Sequence, residues 1–278
     1  MNPTTAVPDS DVRPSPMRET TPLILLVARP SVDIGGMRDY LESVGGASWL
    51  ERRLEEEKGS ISEAELLVEF GGRMCYRSWE PGLNANVSRV RREKDEYFAN
   101  LLRSLHGSVF EHASYSFAFR SVSRVFTHEL VRHRAGSAFS QESLRYVRLT
   151  DIGFRVPSAL EPVREQVLAL VEQLEDFQLS AAEELGLDDD GVPFSVKKEI
   201  TSALRRLAPI GLSTDILWTA NVRTLRHVIE MRTALGAEEE LRLVFDEVAQ
   251  LMCNEAPSLF QDFTRLDDGS WVPEHRKV

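Results

Sequence analysis

The sequence predicts an α+β fold in a single domain, and three observations carry that expectation. Apolar residues recur three and four apart in several long segments, which is the helical period. Short alternating or β-favouring runs interrupt them and read as strands. After residue 20 neither an internal repeat nor a low-complexity linker divides the 278 residues, and 42% hydrophobic content suffices for a buried core.

Residues 1–20 set Pro3, Pro8, Pro14 and Pro16 among Thr, Ser and Asp with little to bury, and read as a disordered lead-in. Leu23 to Ala28 reads as a strand, and one or two surface helices follow through Gly35-Gly36 and Gly45-Gly46. Ser62 to Phe70 has helical spacing and is expected to stop at Gly71-Gly72 in a left-handed cap. Lys94 to Leu105 reads as a helix on Tyr97, Phe98, Leu101 and Leu102, ending near His106-Gly107. Ser114 to Arg120 alternates Tyr115, Phe117 and Phe119 against small residues, a strand with one buried face.

Ser121 or Ser123 is then expected to cap a helix running to about Arg134, with Gly136 ending it. Ser158-Ala-Leu-Glu161 has the capping-box form ahead of a long helix through Phe177 that stops by Gly186. Ser195 caps a helix through Leu207, terminated by Pro209. A strand over Leu212 to Thr219, a helix over Thr224 to Leu235, and a last long helix through Met252 broken by Pro257 complete the order.

A formal charge of −11 disfavours general binding to nucleic acid or anionic membrane, so a cationic cluster is a local device for a small anion. Two cysteines, Cys75 and Cys253, without CxxC or zinc-type spacing, indicate neither a disulfide framework nor a metal. Both read as buried structural thiols, Cys75 in a strand-like edge and Cys253 in an apolar helix. Asp188-Asp189-Asp190-Gly191 reads as a solvated turn rather than a calcium loop. No apolar run is long enough to span a bilayer and no basic leader opens the chain, so a soluble, cytoplasmic protein is expected.

The densest chemistry lies between Leu130 and Tyr146, where Arg132-His133-Arg134 precedes small hydroxyl and amide residues and then Ser143 and Arg145. Guanidinium groups meet phosphate or carboxylate oxygens in a two-point fork. Basic residues in a last helical turn would also complement the macrodipole, so the triplet alone does not decide. If helical, it fans over about 200°, so Arg132 and Arg134 would face different groups. His106 to His112 places Ser108, Glu111 and His112 together, either as a polar edge or as ring- and hydroxyl-binding groups. Arg223 and His227 are four apart and share a helix face, whereas Asn221 and Arg232 share another; a solvated helix would look the same. The glycine pairs form neither GxGxxG nor a Walker loop.

Taken in order, Arg73 to Ser78, His106 to His112, the Arg132-His133-Arg134 triplet with Ser143-x-Arg145-Tyr146, and Asn221-x-Arg223 with His227 and Arg232 resemble the flavin-dependent thymidylate synthases, or ThyX family. That resemblance implies a central, mostly antiparallel sheet flanked by helices, with residues 21–278 as the catalytic domain. It places Ser108, Glu111, Arg132, His133, Arg134, Asn221, Arg223 and His227 around FAD. Glu129, Arg132, Gln141, Glu142, Ser143, Arg145, Arg205 and Arg232 would hold the pyrimidine nucleotide, and Arg232 would act in catalysis by favouring ionisation of the ring nitrogen.

The implied reaction is reductive methylation at carbon 5 of dUMP, with methylenetetrahydrofolate and NADPH as co-substrates, in a homotetramer whose active sites are shared. Eight residues, Ala135 to Glu142, separate the triplet from Ser143, one more than the family spacing. Glu129 stands where a glutamine is common. Both departures leave open a branch that methylates UMP as well, of the nucleoside-antibiotic type. From other classes, a non-catalytic flavin- or nucleotide-binding regulator would keep the pocket, and a nucleic-acid module is opposed by the charge.

Overall fold

The computed structural model describes residues 19–56, 62–151 and 153–278. Most of the lead-in read over 1–20 falls outside them. Its last residues are already engaged, because Glu19 bridges Phe154 and pairs with Arg164.

Helices and a four-stranded antiparallel sheet make the chain α+β. In order, the elements are β1 (Leu23–Ala28), α1 (Ile34–Val44), α2 (Ala47–Glu56), α3 (Glu63–Tyr76), α4 (Lys94–Arg103), β2 (Ser114–Ser123), α5 (Arg124–Leu130), β3 (Ser137–Gln141), α6 (Arg164–Glu184), α7 (Phe194–Leu204), β4 (Ser213–Asn221), α8 (Val222–Thr233), α9 (Glu239–Glu255), α10 (Pro257–Phe260), β5 (Phe263–Arg265) and β6 (Trp271–Pro273). The sheet order is β1-β2-β4-β3, and β5 pairs with β6. Two compact units emerge, the larger from Pro22–Arg120, Phe126–Ser140 and Asp215–Val278 and the smaller from residues 19–21, Ser121–Val125 and Gln141–Thr214.

In the larger unit, β1 and β2 pair so that Ile24 faces Phe119 and Leu26 faces Phe117. The period of two sends Tyr115, Phe117 and Phe119 inward, all at most 1% exposed. There Phe117 and Phe119 both meet Trp218, and Phe119 also meets Phe126 and Phe245. Phe119 lies 6.1 Å from Trp218, and Trp218 meets Phe245 edge-on at 5.7 Å. Truncating one such ring would cost about 3–5 kcal/mol. A second cluster joins Met37, Leu41, Trp49, Leu50, Leu66 and Trp79, so α1 and α2 are packed rather than purely superficial. Arg226, on the side of α8 toward α10, holds Asp262 through two bonds of 2.8 and 2.9 Å and fixes that helix from behind.

In the smaller unit, Leu144, Leu149, Phe154, Val156, Val171 and Leu212 form the core under α6.

Several boundaries differ from the sequence reading, each for a physical reason. Helix α3 runs through Gly71-Gly72 to Tyr76, and Arg77 takes the left-handed cap at φ 47°. Gly72 is there for close approach, since a Cβ on it would meet the Tyr97 hydroxyl at 2.4 Å. Helix α5 ends at Leu130, so the cationic triplet lies beyond its last turn and the macrodipole explanation fails. The small-residue run after it is a strand, β3, which the loop-like composition concealed. Residues Ser158–Val163 form a 3₁₀ turn containing Pro162, and α6 starts at Arg164 without a side-chain cap. Ser195 does not cap α7, which begins one residue earlier after Pro193. Helix α8 starts at Val222, not Thr224. Cys75 is exposed on helix α3 rather than buried at a strand edge. Cys253 is half-buried on α9, where burial pushes its thiol up to about 11. The short hairpin β5–β6 carried no alternating signal.

Candidate active site

Asn221 ends β4 and caps α8, its Oδ1 accepting from Thr224 N at 2.9 Å. That choice leaves its amide NH₂ as a donor at the helix N-terminus, where the aligned peptide dipoles favour an anion. The loop after α5 is lashed to the same point. Asn221 N donates to Gly136 O at 3.0 Å, and Thr224 Oγ1 donates to Ala135 O at 2.7 Å. Gly136 sits at φ 67°, and a Cβ there would meet Asn221 Nδ2 and Thr224 Oγ1 at 2.4 Å each. Only glycine fits so close an approach in the left-handed region. Trp218 Nε1 steadies the far side of the turn by donating to Ser137 Oγ at 3.1 Å.

These ties bring Arg132, His133 and Arg134 beside Asn221, Arg223 and His227 around an open concavity of about 620 Å³, with Glu111 on its rim. Among the described residues, the guanidinium groups of Arg132 and Arg134 have no ion-pair partner. Arg223 donates to Glu111 at 2.6 Å, but both side chains are more than 40% exposed. An exposed pair of this kind contributes about 0–1 kcal/mol, so an arriving anion can compete for Arg223. Ser108 lies on the preceding 3₁₀ turn, Gly107–Glu111, and does not line the concavity.

His133 joins this concavity to a second constellation. Its Nε2 accepts from Arg232 Nε at 2.8 Å, and its ring meets His227 edge-on at 5.8 Å. Burial, reinforced by Arg232 and His227, pushes the imidazole down to about 4. His133 is therefore neutral at pH 7, with its proton on Nδ1. Arg232 also donates to Glu129, through Nη1 to Oε2 at 2.6 Å and through Nη2 to the backbone oxygen at 3.2 Å. Glu129, His133 and Arg232 thus converge. The expected grouping of Asn221 with Arg232 does not hold: Asn221 shares the wall of Arg223 and His227, and Arg232 lies further along α8.

The remaining nucleotide candidates belong to the smaller unit. Gln141 ends β3, Glu142 O accepts from Arg124 at 3.1 Å, Ser143 to Tyr146 forms a turn, and Arg205 opens a 3₁₀ turn, Arg205–Leu207. The motif residues Arg73, Tyr76, Ser78 and His106 line a second cavity of about 340 Å³ with Arg89 and Arg91. Sequence reasoning missed Thr224 and Gly136 as the latch of the site. An Asn followed three residues later by Thr at the start of a polar helix was the available signal.

The fold is α+β, and its concavity sets Arg132, Arg134 and Arg223 beside the N-terminus of α8, a set of donors whose chemistry suits an anion. Residues 59–258 match the family described as Thymidylate synthase complementing protein. The chain is 37% identical over 217 residues to a flavin-dependent thymidylate synthase of Mycolicibacterium gilvum, covering 74% of this chain and 83% of that one. It is 36% identical over 213 residues to the Mycobacterium avium protein of that name and 35% to the Mycobacterium tuberculosis one, with the same coverage. The chain belongs to the flavin-dependent thymidylate synthase family, a family of enzymes. A flavin dinucleotide presents a diphosphate, and the donor set of Arg132, Arg134, Arg223 and the Asn221 amide suits that group. Among the described residues no helix is long and apolar enough to cross a membrane.

Proposed function

We propose that this enzyme methylates carbon 5 of a uridine 5′-monophosphate reductively, converting dUMP to dTMP. The carbon would come from methylenetetrahydrofolate, and NADPH would reduce the flavin. The observation that carries the reading is the convergence of Arg132, Arg134, Arg223 and the α8 N-terminus on one concavity, with Arg232 reached through His133. When bound and reduced, FAD would supply the hydride.

The chain's own residues have separable roles in this reading. Arg132, Arg134, Arg223 and Asn221 bind and orient the dinucleotide by charge-assisted hydrogen bonds. Neutral His133 accepts from Arg232 and leaves that guanidinium as the only cation of the pair. Arg232 stabilises negative charge developing on the pyrimidine ring nitrogen, as a fixed cation does. By resemblance to the family, Arg132, Gln141 to Ser143, Arg145 and Arg205 are the candidates to hold the nucleotide. Family resemblance further supports a homotetramer in which neighbouring subunits complete each site, with residues 21–278 acting as the catalytic domain.

A second reading, a methylase accepting UMP as well, is favoured by the extra residue between Arg134 and Ser143. A longer loop gives room for a ribose 2′-hydroxyl. Release of tritium from carbon 5 of labelled dUMP and UMP, run side by side with methylenetetrahydrofolate, FAD and NADPH, tests both. Release from dUMP supports the first, comparable release from UMP the second, and none from either overturns the methylase assignment.

A further inference from the structure

We infer that Glu129 acts on the substrate through Arg232, as the positioning residue that fixes this guanidinium and sets the net charge it presents. The role rests on the proposed reaction for its chemistry, but its geometry stands apart from it. Arg232 has three nitrogens, and each donates to the chain itself: Nε to His133, Nη1 to the Glu129 carboxylate, and Nη2 to the Glu129 backbone oxygen. Two of the three acceptors are therefore one residue. The Arg232 side chain is only 16% exposed against 37% for Glu129, so the ion pair is partly withdrawn from solvent and less screened than a surface pair.

Position and charge have separate consequences here. As an acceptor, Glu129 holds the guanidinium plane in one orientation at the end of α5. As an anion, it cancels the cation that a ring anion would seek. The groups facing Arg232 are Glu129 from α5, His133 from the loop beyond it, and His227 of α8 behind His133. With His133 held neutral by its surroundings, the Glu129 carboxyl is the acidic group placed against Arg232 in this set. A glutamine in its place would keep the acceptor and remove the charge, and an alanine would remove both. The two substitutions therefore separate positioning from charge.

The test compares wild type, Glu129→Gln and Glu129→Ala in two measurements on the full chain. In tritium release from dUMP, the Gln variant should move the rising limb of the pH profile down by about one unit, the effect of removing one nearby charge in a partly screened site. Its KM should stay within about threefold, because the phosphate contacts are elsewhere. The Ala variant should lose kcat at least about tenfold, since Arg232 is no longer oriented. In NMR titration of His133, which needs no turnover, the Gln variant should keep the imidazole well below its ordinary value, whereas the Ala variant should let it rise toward that value as Arg232 swings away. Identical pH profiles for wild type and Gln would overturn the charge role. An unchanged His133 titration in the Ala variant would overturn the positioning role. If wild type releases no tritium, the reaction assignment fails, and the His133 titrations still decide whether Glu129 positions Arg232.

Discussion

At the residue scale, His133 is the most informative side chain. Its place in the Arg132-His133-Arg134 triplet suggested one more cation, whereas burial and the two neighbours Arg232 and His227 keep it neutral down to about pH 4. The sign of the consequence follows from linkage: its pKa is lower folded than the unfolded 6.5, so the unfolded chain binds the proton first. His133 therefore contributes stability above pH 6.5 that is lost as pH falls toward 4. Two-dimensional NMR of the imidazole should give a midpoint near 4 and a protonated Nδ1; a midpoint near 6.5 would contradict the burial of the ring beside Arg232. The residue types of the site were legible in the sequence. Their protonation was not, because it depends on a contact between positions 99 residues apart.

At the element scale, the strong periodic segments were read correctly in kind, and the errors gathered at their ends. Gly71-Gly72 looked like a helix stop because glycine favours left-handed caps, yet the pair lies inside α3 where His112 and Tyr97 crowd the helix. The cationic triplet looked helical because nothing local marks Leu130 as an end. The tie that ends it is tertiary, the lashing of Ala135 and Gly136 to the start of α8. A third tertiary device was invisible in the sequence. The Glu69 carboxylate in α3 accepts from Trp49, Arg53 and Arg73 at 2.8–3.1 Å, and the two arginines reach the backbone oxygens of Ser78, Arg91 and Arg92. Both ends of the segment before α4 are thereby stapled. Glu69→Ala removes the carboxylate that two buried guanidinium groups share and should cost about 3–5 kcal/mol in urea unfolding, with faster proteolysis between Ser78 and Arg92. A loss below about 1 kcal/mol would mean that the network is not holding that segment.

At the scale of the whole molecule, a chain of net charge −11 concentrates Arg132, Arg134 and Arg223 on one concavity. Long-range repulsion of anions is offset locally where these three guanidinium groups meet a helix N-terminus. The ordered motifs made the family legible from the sequence, and the match over residues 59–258 shows it. What the sequence withheld is how the motifs divide: the triplet, Asn221 and Arg223 make one wall, Glu129 and Arg232 make a pair beside it, and Arg73 with His106 lines another cavity. The claim on which the rest depends is that the first wall holds the flavin. It is tested most directly by the flavin absorbance of the purified protein after incubation with FAD and gel filtration, for wild type and for a double Arg134→Ala, Arg223→Ala variant whose folding is checked by circular dichroism. Expected is a yellow wild type and a folded variant with FAD affinity weakened at least about a hundredfold, two charge-assisted contacts being lost. A wild type that stays colourless, or a variant that retains flavin as well as wild type does, would contradict it.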